Sequence, residues 1–183
     1  QIDVEVTCDH QRRFAGAERH PPTFAALVPV GSDGDDVEFL TYGETKKDSG
    51  RRPSKDTVYE IGSVTKVFTG VLLADAIRAG KVELDDSLQQ HLPDGVQVPV
   101  KDKQAIKLLH LATHTSGLPR MPGNFQPADP NRPYVDYDRK KMFAELPNVK
   151  LPRTPGTYEY SNYAVGMLGE VLADRWGKPY EQA

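Results

Sequence analysis

Residues 59–80 read Tyr59-Glu60-Ile61-Gly62-Ser63-Val64-Thr65-Lys66-Val67-Phe68-Thr69-Gly70-Val71-Leu72-Leu73-Ala74-Asp75-Ala76-Ile77-Arg78-Ala79-Gly80, and the fold follows from how they are taken. A short apolar approach ends at Gly62. Ser63 comes next, an amphipathic run marked by Phe68, Leu72 and Ile77 continues, and Gly80 offers a stop. The pattern predicts a loop feeding a helix whose first turn carries a serine. Lys66 follows Ser63 at a spacing that a helix stacks on one face. A hydroxyl and an amine become neighbours at a helix start, where unpaired backbone N–H groups and the positive end of the dipole favour developing negative charge. Taken alone, the tetrad also suits a capping serine followed by a solvated lysine.

Two later stretches bear on that choice. Leu108-Leu109-His110-Leu111-Ala112-Thr113-His114-Thr115-Ser116-Gly117-Leu118-Pro119 is a helix end running into a Ser-Gly turn. Pro155-Gly156-Thr157-Tyr158-Glu159-Tyr160-Ser161-Asn162 is a turn that leads through Tyr-Ser-Asn into a second apolar helix. With these in place the chain resembles the serine β-lactamase and penicillin-binding-protein superfamily, most closely its class C-like branch of β-lactamases, D,D-peptidases and esterases. Gly62-Ser63-x-Thr65-Lys66 resembles the family's nucleophile motif and Tyr160-Ser161-Asn162 its Tyr-x-Asn motif. The His114-to-Pro119 turn, Gly80-Lys81 with Leu84-Asp85-Asp86, and Trp176-Gly177-Lys178-Pro179-Tyr180 are similar to further landmarks in the family's order. The likeness runs from about Phe24 to the last residue.

The residues themselves say what such a site must do. A serine hydroxyl is a weak nucleophile at neutral pH, so a neighbour has to take its proton. Lys66 and Tyr160 are the candidates. Each has an ordinary pKa near ~10, and a base working at pH 7 needs that lowered by roughly 3 units, about 4 kcal/mol of differential interaction. An ammonium stabilises a nearby phenolate, so the two titrate as one unit, and the sequence leaves open which of them is the acylation base. Asn162 is, by the resemblance, the hydrogen-bond partner of the lysine and of a substrate amide. The backbone N–H of Ser63 is half of an oxyanion hole on the same ground. Read without the family, Tyr160 could belong to an aromatic cluster with Tyr158 and Tyr163, and Asn162 could cap the last helix.

Two departures shape the expectation. The family's third motif, Lys-Thr-Gly or His-x-Gly on a strand, has no match after Asn162, so the resemblance implies that much of the sheet lies beyond Ala183. Dedicated class C β-lactamases carry Tyr-Ala-Asn where this chain has Tyr160-Ser161-Asn162, and a glutamine after the Gly-Leu-Pro turn where Met121 stands. Met121 is therefore a candidate substrate-binding residue beside Asn162, and the departures favour a peptidase or esterase.

Composition allows a core the size of one domain: 183 residues, 38% hydrophobic, net charge −3. That charge gives no reason to expect nucleic acid, and no apolar run approaches the roughly 20 residues of a membrane span. Cys8 is the only cysteine, which excludes an internal disulfide. The chain opens at Gln1 rather than methionine, so it is expected to be processed or trimmed, and no signal peptide is visible. Residues 1–20 read as a polar lead-in. A run from Phe24 to Val30, turn residues from Gly31 to Asp36, and alternation from Val37 to Tyr42 predict a hairpin, with Pro29 at an edge or bulge. Residues 44–56 form a charged loop. A helix is predicted over 104–113, with His110 and His114 four apart on one face; the zinc-protease pattern needs Glu after the first His, where Leu111 stands, so a packed structural pair is favoured over a metal site. The proline-rich stretch 119–155 is long enough to be a functional loop, read either as a wall of the substrate groove or as plain surface. Tyr163 to Trp176 predicts an apolar helix with Val165, Met167, Leu168, Val171 and Leu172 inward and Gly177 as its cap.

The expectation is thus an α/β chain with the β-lactamase-like two-lobe fold, an antiparallel sheet lobe plus an all-helical lobe, the sheet lobe incomplete. Residues 1–62 would supply the lead-in and first strands, 63–162 the helical lobe with both motifs, and 163–183 a helix returning toward the sheet. The function implied is a serine hydrolase that forms a covalent acyl-enzyme at Ser63, with Lys66 and Tyr160 catalytic, Asn162 and Met121 on the substrate, and no metal or organic cofactor. Its partner would be a small molecule or peptide, whether a β-lactam, a D-Ala peptide or an ester, together with the missing C-terminal half, in a periplasmic or secreted location implied by the resemblance. The alternative is a non-catalytic homologue that binds a ligand or a complementary chain.

Overall fold

The computed structural model describes residues 26–33, 36–130 and 132–183. The lead-in, Cys8, Phe24 and Asn131 lie outside the described residues. The chain divides into two compact units, Gln1–Glu60 and Ile61–Ala183.

In the first unit, strands β1 (Ala26–Asp33) and β2 (Asp36–Tyr42) pair antiparallel. The strands reach further into the turn residues read from the sequence than expected, since Asp33 still pairs with Asp36. The register shifts between Pro29 and Gly31, the irregularity that a proline without an N–H imposes on a ladder. The charged loop that follows is folded back by the Thr45 N–H donating to the Arg51 carbonyl at 2.8 Å.

The second unit is helical. A 3-10 turn, Gly62–Val64, leads directly into α1 (Thr65–Arg78). After a capped 3-10 turn at Leu88–His91 come α2 (Leu108–Ala112), α3 (Arg139–Glu145) with a 3-10 extension at Leu146–Asn148, and α4 (Asn162–Trp176). α4 is the centre. Its Tyr163, Met167, Leu168, Val171 and Leu172 are buried and face Leu73 and Ala76 of α1, Leu108 and Leu111 of α2, and Phe143 of α3 within one cluster. A helix apolar on most of its circumference is stable only when surrounded, and each fully buried leucine there contributes roughly 1.5–3 kcal/mol. The helix starts on a buried Ser161 whose Oγ accepts the Ala164 N–H at 2.9 Å. It ends at Gly177, whose φ of 64° is the left-handed conformation that glycine adopts without strain.

Two expectations about faces and lengths are corrected. Phe68 is not inward: α1 buries Thr69, Leu73 and Ala76, with Leu72 and Ile77 beside them, while Val64, Val67, Phe68 and Val71 form an exposed stripe on its other side. The predicted helix over 104–113 is only the short α2. Gln104 and Lys107 make bridges to Lys101 and Ser87 instead, and His114 lies past the helix end at a φ of 59°. The two histidines therefore do not share a helix face. Each ring accepts a backbone N–H at Nδ1, His110 from Lys107 at 3.2 Å and His114 from Ser161 at 3.1 Å.

Candidate active site

Ser63 and Lys66 meet as their spacing demands, because the 3-10 turn and the first turn of α1 are continuous: Lys66 Nζ donates to Ser63 Oγ at 3.3 Å. The same ammonium donates to Asn162 Oδ1 at 2.8 Å, at the first residue of α4. Tyr160 completes the group, its phenolic oxygen 2.7 Å from Ser63 Oγ. Lys66 Nζ stands 4.9 Å from the centre of the Tyr160 ring. Four side chains from positions nearly a hundred residues apart thus form one hydrogen-bonded set around an exposed serine hydroxyl.

What holds the Tyr160 side in register is the turn after α2. The Ser161 hydroxyl donates to the Pro119 carbonyl at 2.7 Å while it caps α4, and the Asn162 N–H donates to the Arg120 carbonyl at 2.9 Å. Gly117 makes that turn possible. Its φ is 75°, and a Cβ there would lie 2.3 Å from the Arg153 carbonyl oxygen, so no side chain fits. Upstream of Tyr160 the Glu159 N–H donates to the His114 carbonyl at 2.8 Å.

Electrostatics acts on the phenol. Hydrogen bonding from Lys66, then from Ser63, lowers the Tyr160 pKa from the ordinary tyrosine value, and the charges of Lys66 and Arg120 act in the same direction. Arg120 carries its guanidinium 5.0 Å from the Tyr160 ring centre. A phenol so placed can accept the serine proton more readily than a free tyrosine at the same pH.

All five residues singled out in the sequence come together. Met121 joins through its Sδ, 3.5 Å from Asn162 Nδ2. One bland reading is excluded, since the cap of α4 is Ser161 rather than Asn162; Tyr160 does stack on His114, whose ring also meets the exposed Tyr158 edge-on, while Tyr163 is buried with its hydroxyl on the Met142 carbonyl. Ser161 does not touch the site. Its hydroxyl is consumed by the cap and by Pro119, so of the two departures from the class C pattern only Met121 contacts the hydrogen-bonded set, through Asn162. The residues the sequence did not single out for the site are Arg120 and, in this role, His114. The stretch 119–155 is tied down by Phe125, Tyr134 and Tyr137, with the Tyr137 hydroxyl donating to Asn124 Oδ1 at 2.8 Å.

Known proteins carry the same arrangement of chain. The Beta-lactamase family model matches residues 14–183. The D-alanyl-D-alanine-carboxypeptidase/endopeptidase AmpH of Escherichia coli strain K12 is 39% identical over 182 residues, which cover 98% of this chain and 44% of that protein. A Beta-lactamase of Pseudomonas fluorescens is 34% identical over 148 residues, 80% of this chain and 38% of the relative. Among solved structures, a Beta-lactamase/D-alanine carboxypeptidase from Yersinia pestis, crystallised with citrate, superposes with a TM-score of 0.71 at 36% identity, covering 86% of this chain and 44% of the other. The chain spans less than half the length of these relatives. Its fold is β-lactamase-like, with one hairpin of the sheet lobe among the described residues. By the match over most of its length, the chain belongs to the Beta-lactamase family.

Proposed function

We propose that this chain carries the nucleophile half of a serine acyl-transfer hydrolase acting on a D-alanyl peptide or a β-lactam. The observation that carries the reading is the 2.7 Å contact between the Ser63 and Tyr160 oxygens with the Lys66 ammonium on the same hydroxyl. Ser63 Oγ attacks the substrate carbonyl carbon as its proton passes to the Tyr160 phenolate. The carbonyl π pair becomes an oxyanion, which the Ser63 N–H stabilises by ~3 kcal/mol if it behaves like other such donors. On collapse the C–N bond breaks, and Tyr160 returns the proton to the departing nitrogen. Water then attacks the ester carbonyl as Tyr160 takes its proton, and on collapse the C–O bond to Ser63 breaks while Tyr160 returns that proton to Ser63 Oγ. Lys66 holds the phenolate charge, and Asn162 orients Lys66 through the 2.8 Å bond while its amide nitrogen faces the Met121 side. Tyr160 is the acylation base in this reading because it is nearer to Ser63 than Lys66 is, and hydrogen bonds from Lys66 and then Ser63 lower its pKa.

A peptide ending in D-Ala-D-Ala is the first substrate to test. Two relatives are named for D-alanine carboxypeptidase activity, and Met121 stands where a dedicated class C β-lactamase has glutamine. Such a substrate carries with it the periplasmic or secreted location that the resemblance implies. The test is D-alanine release from such a peptide, alongside equilibrium binding. Ser63→Ala should abolish release and leave binding in place; binding without release by the unsubstituted protein would instead identify a ligand-binding module.

A further inference from the structure

Tyr160 does not reach Ser63 by its own backbone alone. The residue before it donates its N–H to the His114 carbonyl at 2.8 Å, and the residue after it donates its N–H to His114 Nδ1 at 3.1 Å. Between those two bonds the imidazole lies against the phenol ring, centres 4.4 Å apart and planes inclined by 32°. One residue therefore clamps the segment on both sides of Tyr160 and also covers the face of its ring. His114 can do this only because its φ is 59°, which turns its carbonyl and its side chain toward the same segment. Histidine and asparagine tolerate that left-handed conformation better than most residues, yet it is an uncommon one, and such conformations persist where the surroundings demand them.

We propose that His114 is a positioning residue, whose imidazole holds the Tyr160 phenol against Ser63 and Lys66. The role is separate from metal binding and from proton transfer. Nδ1 is occupied as an acceptor from Ser161, so the ring is neutral with its proton on Nε2, and it touches no reacting atom except through Tyr160. Burial, then the nearby Lys66 cation, push the imidazolium pKa down. The other charges around the clamp are Arg120, over the Tyr160 ring, and Glu159, which is ion-paired with Arg153. Removing the ring face takes away one of the contacts that fix the phenol, beside the Ser63 hydrogen bond and the Arg120 guanidinium, so its proton affinity should move toward that of a solvated tyrosine.

The assignment rests on the reading of Tyr160 as proton acceptor, but its test needs no substrate. The protein labelled with 13C at tyrosine Cζ is titrated by NMR, with the Tyr160 signal identified by Tyr160→Phe. His114→Asn keeps an acceptor for the Ser161 N–H and tolerates the left-handed backbone while removing the ring face. The expected result is a folded variant whose Tyr160 midpoint moves up by about one pH unit, the size of effect a nearby charge exerts. His114→Phe, which restores a ring face, should return part of that shift. An unchanged midpoint in the folded Asn variant overturns the proposal. So does the absence of cross-relaxation between the His114 and Tyr160 rings in the unsubstituted protein, a measurement that does not depend on any variant folding. If the midpoint moves as expected while no substrate is turned over, the positioning role stands and the hydrolase reading fails.

Discussion

In the proposed reaction Tyr160 is the proton acceptor, and its environment predicts a pH profile. The phenol works as a base only when deprotonated, and Lys66 followed by Ser63 holds its pKa below the ordinary value. Acylation should therefore rise with pH and level off before the usual tyrosine range of about 10 is reached. Lys66→Gln removes the largest cause of the lowering, so its rising limb should move to higher pH; a limb that stays in place would show that Lys66 does not set it. Tyr160→Phe should cost roughly a hundred- to ten-thousand-fold in acylation rate, the usual share of a general base, with little change in melting temperature, and a rate left within tenfold would transfer the role to Lys66. Ser63 and Lys66 were legible in the sequence because a helix start converts their spacing directly into proximity, whereas Tyr160 and Asn162 were singled out by the resemblance of Tyr160-Ser161-Asn162 to the family's motif, their contacts with Ser63 and Lys66 being tertiary. His114 and Arg120 were not. Their contacts with Tyr160 arise from a left-handed residue and a chain reversal, which bring together positions that no periodicity relates.

At the scale of the element, the start of α4 and the turn before it act as one bracket. Ser161→Ala removes both the cap and the bond to Pro119, so a loss of about 1–2 kcal/mol is expected, read as a lowered denaturation midpoint with an unchanged slope. Gly117→Ala should cost at least as much, because the new Cβ meets the Arg153 carbonyl and the backbone is already left-handed. A stable Gly117→Ala protein would mean the turn is not built as described. α4 was legible down to its inward residues and its glycine cap, since a long apolar run with a start and a stop allows no other reading. The helix before the turn was overextended. Its apolar pattern continues through residues 104–107, but that segment's backbone groups are taken by bridges to Lys101 and Ser87, a tertiary choice that local pattern does not carry. Likewise Phe68 reads as inward by period alone, while the neighbouring face with Leu73 and Ala76 is the one that α4 covers.

For the whole molecule, the second unit has its own core and the stability of the site depends on it. Leu168→Ala opens a cavity at the centre of α4 and should cost about 2–5 kcal/mol by denaturant unfolding. The exposed stripe of Val64, Val67, Phe68 and Val71 on α1 should make this chain enhance the fluorescence of anilinonaphthalene sulfonate, and Phe68→Ser with Val71→Ser should weaken that response; an equal response from the double variant would place the dye elsewhere. In the proposed reaction Ser63 is an activated nucleophile. That role is tested most directly by the intact denatured mass of the protein, 20.3 kDa, before and after brief exposure to a penicillin. The expected result is a single penicilloyl adduct that is absent from Ser63→Ala. An adduct retained by Ser63→Ala, or none on the unsubstituted protein under conditions where it is folded, would contradict it.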